Sequence, residues 1–189
     1  MSFDVAQFRA QMVGDGARPN LFHVIMPFPA LARVTGSASA GSADSKFTFM
    51  CRSSQLPGST IGSIPVPFMG REIRVAGNRV FSDWTVTVIN DEDFLIRNTF
   101  EKWMNGINSH RGNFRAPGAL SPASYTVDPT INQYGKEYPG PIIKSYKMIG
   151  MFPVDLSPID VDYGSNDTIE EFTVTLSGQW WEDERNGII

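Results

Sequence analysis

The sequence predicts a mainly β fold: antiparallel sheets forming a β-sandwich or barrel-like body with one flanking α-helix. Three observations predict it. Residues 83–89 (DWTVTVI) and 170–181 (EEFTVTLSGQWW) alternate apolar and polar side chains, a period of two that places them on opposite faces of a sheet. Helical spacing stands out once, where Ile96, Phe100, Trp103, Met104 and Ile107 recur at intervals of three and four. Seventeen Gly and thirteen Pro call for many turns between the elements. A chain of 189 residues, 41% hydrophobic, is long enough to bury a core of its own and reads as one domain spanning 1–189.

From the N-terminus, Phe3, Val5, Phe8 and Met12 form a short amphipathic element or an arm docking on a neighbour. Residues 20–26 (NLFHVIM) read as a first strand, 30–45 (with GSASAGSADS) as a flexible insertion, and 46–53 (KFTFMCRS) as a second strand. Residues 55–70 hold Pro57, Pro65 and Pro67, so they form an extended ribbon that cannot be a central strand and needs something to lie against. A short strand at 71–76 and a turn at AGNR lead into the strand at 83–89. Asn90 to Asp93 then supply capping side chains and negative charge for the helix, and Asn105-Gly106 supplies its stop. Residues 109–141 read as a long surface loop, 142–152 as a long strand, and 153–167 as a turn into the last strand. At ~3.3 Å per residue that last strand would run roughly 35 Å.

The two alternating strands share a pattern. Trp84, Val86, Phe172, Val174, Leu176 and Trp180 make an apolar face; Thr85, Thr87, Thr173, Thr175, Ser177 and Gln179 make a neutral, wettable one. No Lys or Arg falls between Glu171 and Glu182. Long strands leave unpaired edges, which closure with identical neighbours into a barrel would remove.

Signals for chemistry are sparse. A net charge of -4 argues against non-specific nucleic-acid binding, which rests on clustered Lys and Arg. The lone Cys51, in the apolar run FTFMC, reads as a small buried hydrophobe, with no disulfide or CxxC metal site. His23 lies in a strand and His110 in a loop, without the partners of a triad or a zinc site. No GxSxG, Walker or dinucleotide glycine loop occurs. Asp160, Asp162 and Glu171 fall at the first, third and twelfth places of a calcium loop, but Ser165 stands where the sharp turn needs Gly; the segment reads as an acidic turn. Arg71, Arg74 and Arg79 make a small basic group beside the ribbon, suited to acidic residues of an adjacent subunit. No secretory signal and no run of ~20 apolar residues is recognisable. The expectation is a protein with no catalytic residues, no metal and no cofactor.

Two blocks carry a resemblance. Residues 55–110 present, in order, a QLPG ribbon, a basic strand, a WTVT strand, an NDEDF cap and a KWMNGI helix; residues 157–182 end in EEFTVTLSGQWWE. Together they resemble the tail tube proteins of T4-like contractile-tailed bacteriophages. The resemblance implies a virion protein, assembled in the host cytoplasm, in which homo-hexameric rings stack into a hollow tube. It implies a sheath outside, baseplate and tail terminator proteins at the ends, and transient passage of DNA without specific binding. On that footing Gln55, Leu56, Pro57, Ile61, Ile64, Val66 and Phe68, with Arg71 and Arg74 at the foot, are the expected inter-ring or inter-subunit contact. Thr85, Thr87, Thr173, Thr175, Ser177 and Gln179 are the expected bore-facing residues, since a cation-free lining would not grip a moving polyanion. The alternative within tubes is the inner tube of a bacterial contractile secretion or injection system that carries effectors. Outside them, a glycan-binding β-sandwich would use Tyr125, Tyr134 and Tyr138.

Overall fold

The computed structural model describes residues 4–34, 42–137 and 140–185. Along the chain come α1 (Val5–Gln11), β1 (Phe22–Ile25), α2 (Ser42–Met50), β2 (Cys51–Ser54), β3 (Ser59–Phe68) and β4 (Arg71–Phe81). They are followed by β5 (Trp84–Ile89), α3 (Leu95–Ile107), α4 (Pro122–Tyr125), β6 (Thr130–Tyr134), β7 (Ile142–Ile149), β8 (Phe152–Leu156), β9 (Glu171–Ser177) and β10 (Trp180–Asp183). The strands form three antiparallel sheets, ordered β2-β5-β9-β8, β1-β6-β7-β10 and β3-β4.

The core lies between the first two sheets and the helices. β5 and β9 turn Trp84, Val86, Val88, Phe172, Val174 and Leu176 inward; β1, β6 and β7 contribute Val24, Ile131 and Met148. The α3 stripe adds Ile96, Phe100 and Trp103, all buried, and Phe28 packs edge-on against Phe47, Phe100 and Trp103. Such edge-to-face ring pairs add to the area they bury.

Two strands expected to be long are each broken at a glycine. The strand expected at 142–152 ends as β7 before Gly150 (φ 67°), and β8 runs on to Leu156 within the segment expected to turn at 153–167; residues 170–181 divide at Gly178 into β9 and β10. At each break the chain leaves one sheet and enters the other. A Cβ at Gly178 would lie 3.3 Å from the Ile149 carbonyl and run into the Met151 side chain, so two chain segments pass each other where only hydrogen fits. The break also reverses the phase: Trp181 packs inward on Phe81 and Tyr146, while Trp180, assigned by alternation to the buried face, is 45% exposed.

Four further expectations change. The described residues contain four α-helices rather than one, and the sheets of the single chain are open rather than closed as a barrel. The strand expected at 46–53 is mostly α2, because Ala43, Phe47 and Met50 fall at helical spacing on the core while Phe49 points to solvent. Thr130–Tyr134, expected within the 109–141 loop, is β6, an inner strand of its sheet. Of the expected 30–45 insertion, Ala30–Ala32 is a 3-10 turn packed under α3, Ser42 begins α2, and 35–41 lie outside the described residues.

Candidate functional site

The ribbon at 55–70 is half of a long hairpin. β3 pairs with β4 from Ser59↔Phe81 to Phe68↔Arg71, so the strand expected at 71–76 continues through AGNR instead of turning there. The turn is Met69-Gly70, with φ of 47° and 82°, the two positive values of a type I′ hairpin turn. A bulge between Ile61 and Ser63 brings Gly62 against Gly77, where an added Cβ would stand 3.1 Å from the Gly62 carbonyl oxygen. Pro65 and Pro67 are tolerated because residues two apart point their backbone nitrogens the same way, and a two-stranded ribbon has an outer edge for both.

The register sorts the hairpin into two faces. Ile64, Val66 and Phe68 share one with Val75, Ile73 and Arg71; Pro65, Pro67, Arg74 and Glu72 share the other. Every residue of β3 is exposed, with Ile64 at 53% and Phe68 at 58%, so this apolar face covers nothing in its own chain. Its root is held: the Trp84 indole N–H donates to the Gln55 carbonyl at 2.8 Å, the Trp181 indole N–H donates to the Gly58 carbonyl at 3.2 Å, and Phe81 meets Trp181 edge-on. Leu56 is exposed and Pro57 half-buried in that root. Sequence reasoning named Ile64, Val66 and Phe68 but missed Ile73 and Val75, which complete the face; their alternation in REIRVA was the available signal.

Of the expected neutral face, Thr85 stands opposite Thr175 and Thr87 opposite Thr173, and the Thr85 and Thr175 hydroxyls lie 3.4 Å apart. These residues are half-buried on the side of the sheet away from the core. Ser177 continues the face at the end of β9; Gln179 stands beyond the break, its N–H bonded to the Ile149 carbonyl. One ion pair, Arg52 with Glu171, closes the opposite end of the face.

The acids before α3 serve the fold. Asp93 accepts the Leu95 N–H at 2.9 Å, and Asp91 and Asp93 both bind Lys46 of α2, at 2.7 and 2.6 Å. That shared cation and their backbone hydrogen bonds hold both carboxyls below the usual range. Burial opposes the charge on Lys46, but the two carboxylates outweigh it and raise its pKa. Burial pushes the Cys51 thiol up to about 12, which leaves it protonated and inert.

Other candidates are engaged or dispersed. Tyr134 packs on His23, and Tyr125 on Phe152, while Tyr138 lies outside the described residues. Asp162 accepts the Gly164 N–H and Glu171 binds Arg52, so the calcium-like spacing is used for a turn and an ion pair. No helix among the described residues is long and apolar enough to cross a membrane.

The body is a sandwich that carries an exposed apolar hairpin and an outer face of paired threonines. The chain belongs to the phage tail tube protein family, which it matches over residues 17–183. It is 36% identical to tail tube protein gp19 of Enterobacteria phage T4, over 92% of this chain and 96% of that one. It is 27% identical to the tail tube protein of Serratia phage KSP90, over 91% and 92%. The fold is similar to a chain in the baseplate of the anti-feeding prophage, with a TM-score of 0.61 at 12% identity, covering 89% of this chain and 95% of that one. It is also similar to a chain in the sheath/tube terminator of an extracellular contractile injection system, with a TM-score of 0.55 at 16% identity, covering 89% and 96%. The protein is a structural, non-enzymatic tail tube subunit of a contractile-tailed virion.

Proposed function

We propose that six copies close into a ring, that rings stack into a hollow tube, and that DNA passes down the bore. The observation that carries this is the β3–β4 hairpin, 23 residues from Ser59 to Phe81 held at the root and exposed along its length. An exposed apolar ribbon of that size is an aggregation hazard for a monomer and an interface for an assembly. Ile61, Ile64, Val66, Phe68, Arg71 and Arg74 then lie against neighbouring copies. Thr85, Thr87, Thr173, Thr175 and Ser177 line the bore. They form a wall whose flanking cation, Arg52, is held by Glu171, so a duplex moving past releases few counterions and meets little friction. A sheath packs outside, and baseplate and terminator proteins close the ends.

Electron microscopy of the purified protein tests the assembly, and six-fold rings or tubes are the expected result; monomers under all conditions would overturn it. The lining is tested with Thr87→Lys plus Thr173→Lys. Tubes should still form, while virions carrying the change deliver DNA more slowly, by an amount that shrinks as salt rises.

A further inference from the structure

Strands β2, β5, β9 and β8 contain a single Lys or Arg between them, Arg52. Cys51 pairs with Val88 and Ser53 with Thr87, so Arg52 is the extra residue of a bulge. A bulge re-aims the side chain it displaces. The Arg52 guanidinium crosses β5 and donates to both carboxylate oxygens of Glu171 on β9. Glu171 stands opposite Ile89, in line with Thr173 and Thr175, where the connection from β8 enters the sheet. The β3–β4 hairpin departs from the other end, beside the Trp84↔Leu176 pair.

No neighbouring carboxylate can take Glu171's place. Glu170 points to the opposite face of the strand, where its side chain accepts the Asn90 amide N–H at 2.9 Å. Asp155 stands opposite Thr175, four residues along β9 from Glu171 and therefore about 13 Å away. The pair also has a structural use, since it ties the four-residue edge strand β2 across β5 to β9.

We propose that Glu171 masks Arg52: the carboxylate keeps the one cation of this wall from gripping the phosphates of a passing duplex. The inference rests on the reading of the Thr face as the bore lining and names the residue on which low friction there depends. A bare guanidinium is the side chain best matched to phosphate, and each contact with DNA is strengthened by release of counterions. In a six-fold ring it would recur six times per ring and again in every ring of the stack. Glu171 is fixed on the same sheet and always within reach of Arg52, whereas each phosphate only passes. The Thr rows are neutral by composition; this end of the face is neutral by pairing.

DNA delivery by variant virions tests it, with tube formation and urea midpoints checked for each variant. Glu171→Gln keeps the size of the side chain and removes its charge. Relative to wild type it should slow DNA release into cells by about threefold or more at low ionic strength, and the gap should shrink as salt rises. Arg52→Gln alone should deliver at the wild-type rate, because a masked cation exerts no drag. Arg52→Gln added to Glu171→Gln should restore that rate, although it cannot restore the ion pair. A merely structural pair would leave the double variant as slow as Glu171→Gln, and that result overturns the proposal. Mosaic virions from cells that also make the wild-type chain keep the comparison readable if Glu171→Gln alone does not assemble. A wild-type rate for Glu171→Gln, with Thr87→Lys plus Thr173→Lys slow, overturns the mask alone. Wild-type rates for both overturn the bore reading with it.

Discussion

Strands β5 and β3 are both apolar-rich and extended, and they do opposite things. In β5 every second residue is buried and its neighbour half-buried, so the strand belongs to its own chain. In β3 no residue is buried, although Ile61, Ile64, Val66 and Phe68 give it as much apolar surface. Hydrophobicity therefore does not say which surface holds the subunit together and which holds the assembly together; burial does. Stability of the monomer and stability of the tube should accordingly be separable by mutation.

The largest effect is expected in the body. Phe100→Ala removes a fully buried ring at the junction of Phe28, Phe47 and Trp103, and should cost about 3–5 kcal/mol by denaturant titration of the monomer. Next comes Gly178→Ala, which forces a Cβ towards the Ile149 carbonyl and Met151; a loss of about 1–3 kcal/mol would fit a corner that cannot widen. The hairpin should behave differently. Val66→Ser with Ile73→Ser should move monomer stability by less than about 0.5 kcal/mol, yet suppress tube formation seen by sedimentation; a large monomer effect would mean that the hairpin also holds its own chain together.

The smallest effect concerns the Lys46 link between α2 and the approach to α3. Because Asp91 and Asp93 titrate below the ordinary 3.8, their contribution is present above that value and is lost as pH falls through their lowered values. Lys46, raised above 10.5, contributes fully below that value and loses its contribution as pH rises through its folded value. Lys46→Met should therefore lower the urea midpoint slightly at neutral pH, with the gap to wild type closing in strong acid.

How much was legible in the sequence follows the same division. β5, β9 and α3 were readable because each has one face in the core, and alternation or a 3.6-residue stripe records that. α2 was missed because Phe47-Thr48-Phe49 alternates like a strand, and only Ala43 and Met50 at its ends disclose the helix. The breaks at Gly150 and Gly178 were missed because a period-two pattern cannot register a change of sheet, which is decided by how closely two backbones pass. In the hairpin, Pro65 and Pro67 argued correctly against a central strand but hid a pairing with β4 that an outer edge permits. The Thr rows were visible as a pattern; that they lie back to back with the core needed the register.

The β5–β9 register has one more consequence. A subunit whose sheet ends in a ribbon on one side and a loop on the other has a direction, so a filament of such subunits has two chemically unlike termini. One terminus displays bare Ile64, Val66 and Phe68; the other displays Val161, Tyr163 and Ile169 among carboxylates. Each end exposes apolar side chains that need a cover, one among arginines and the other among carboxylates, so the two ends call for different proteins to finish them.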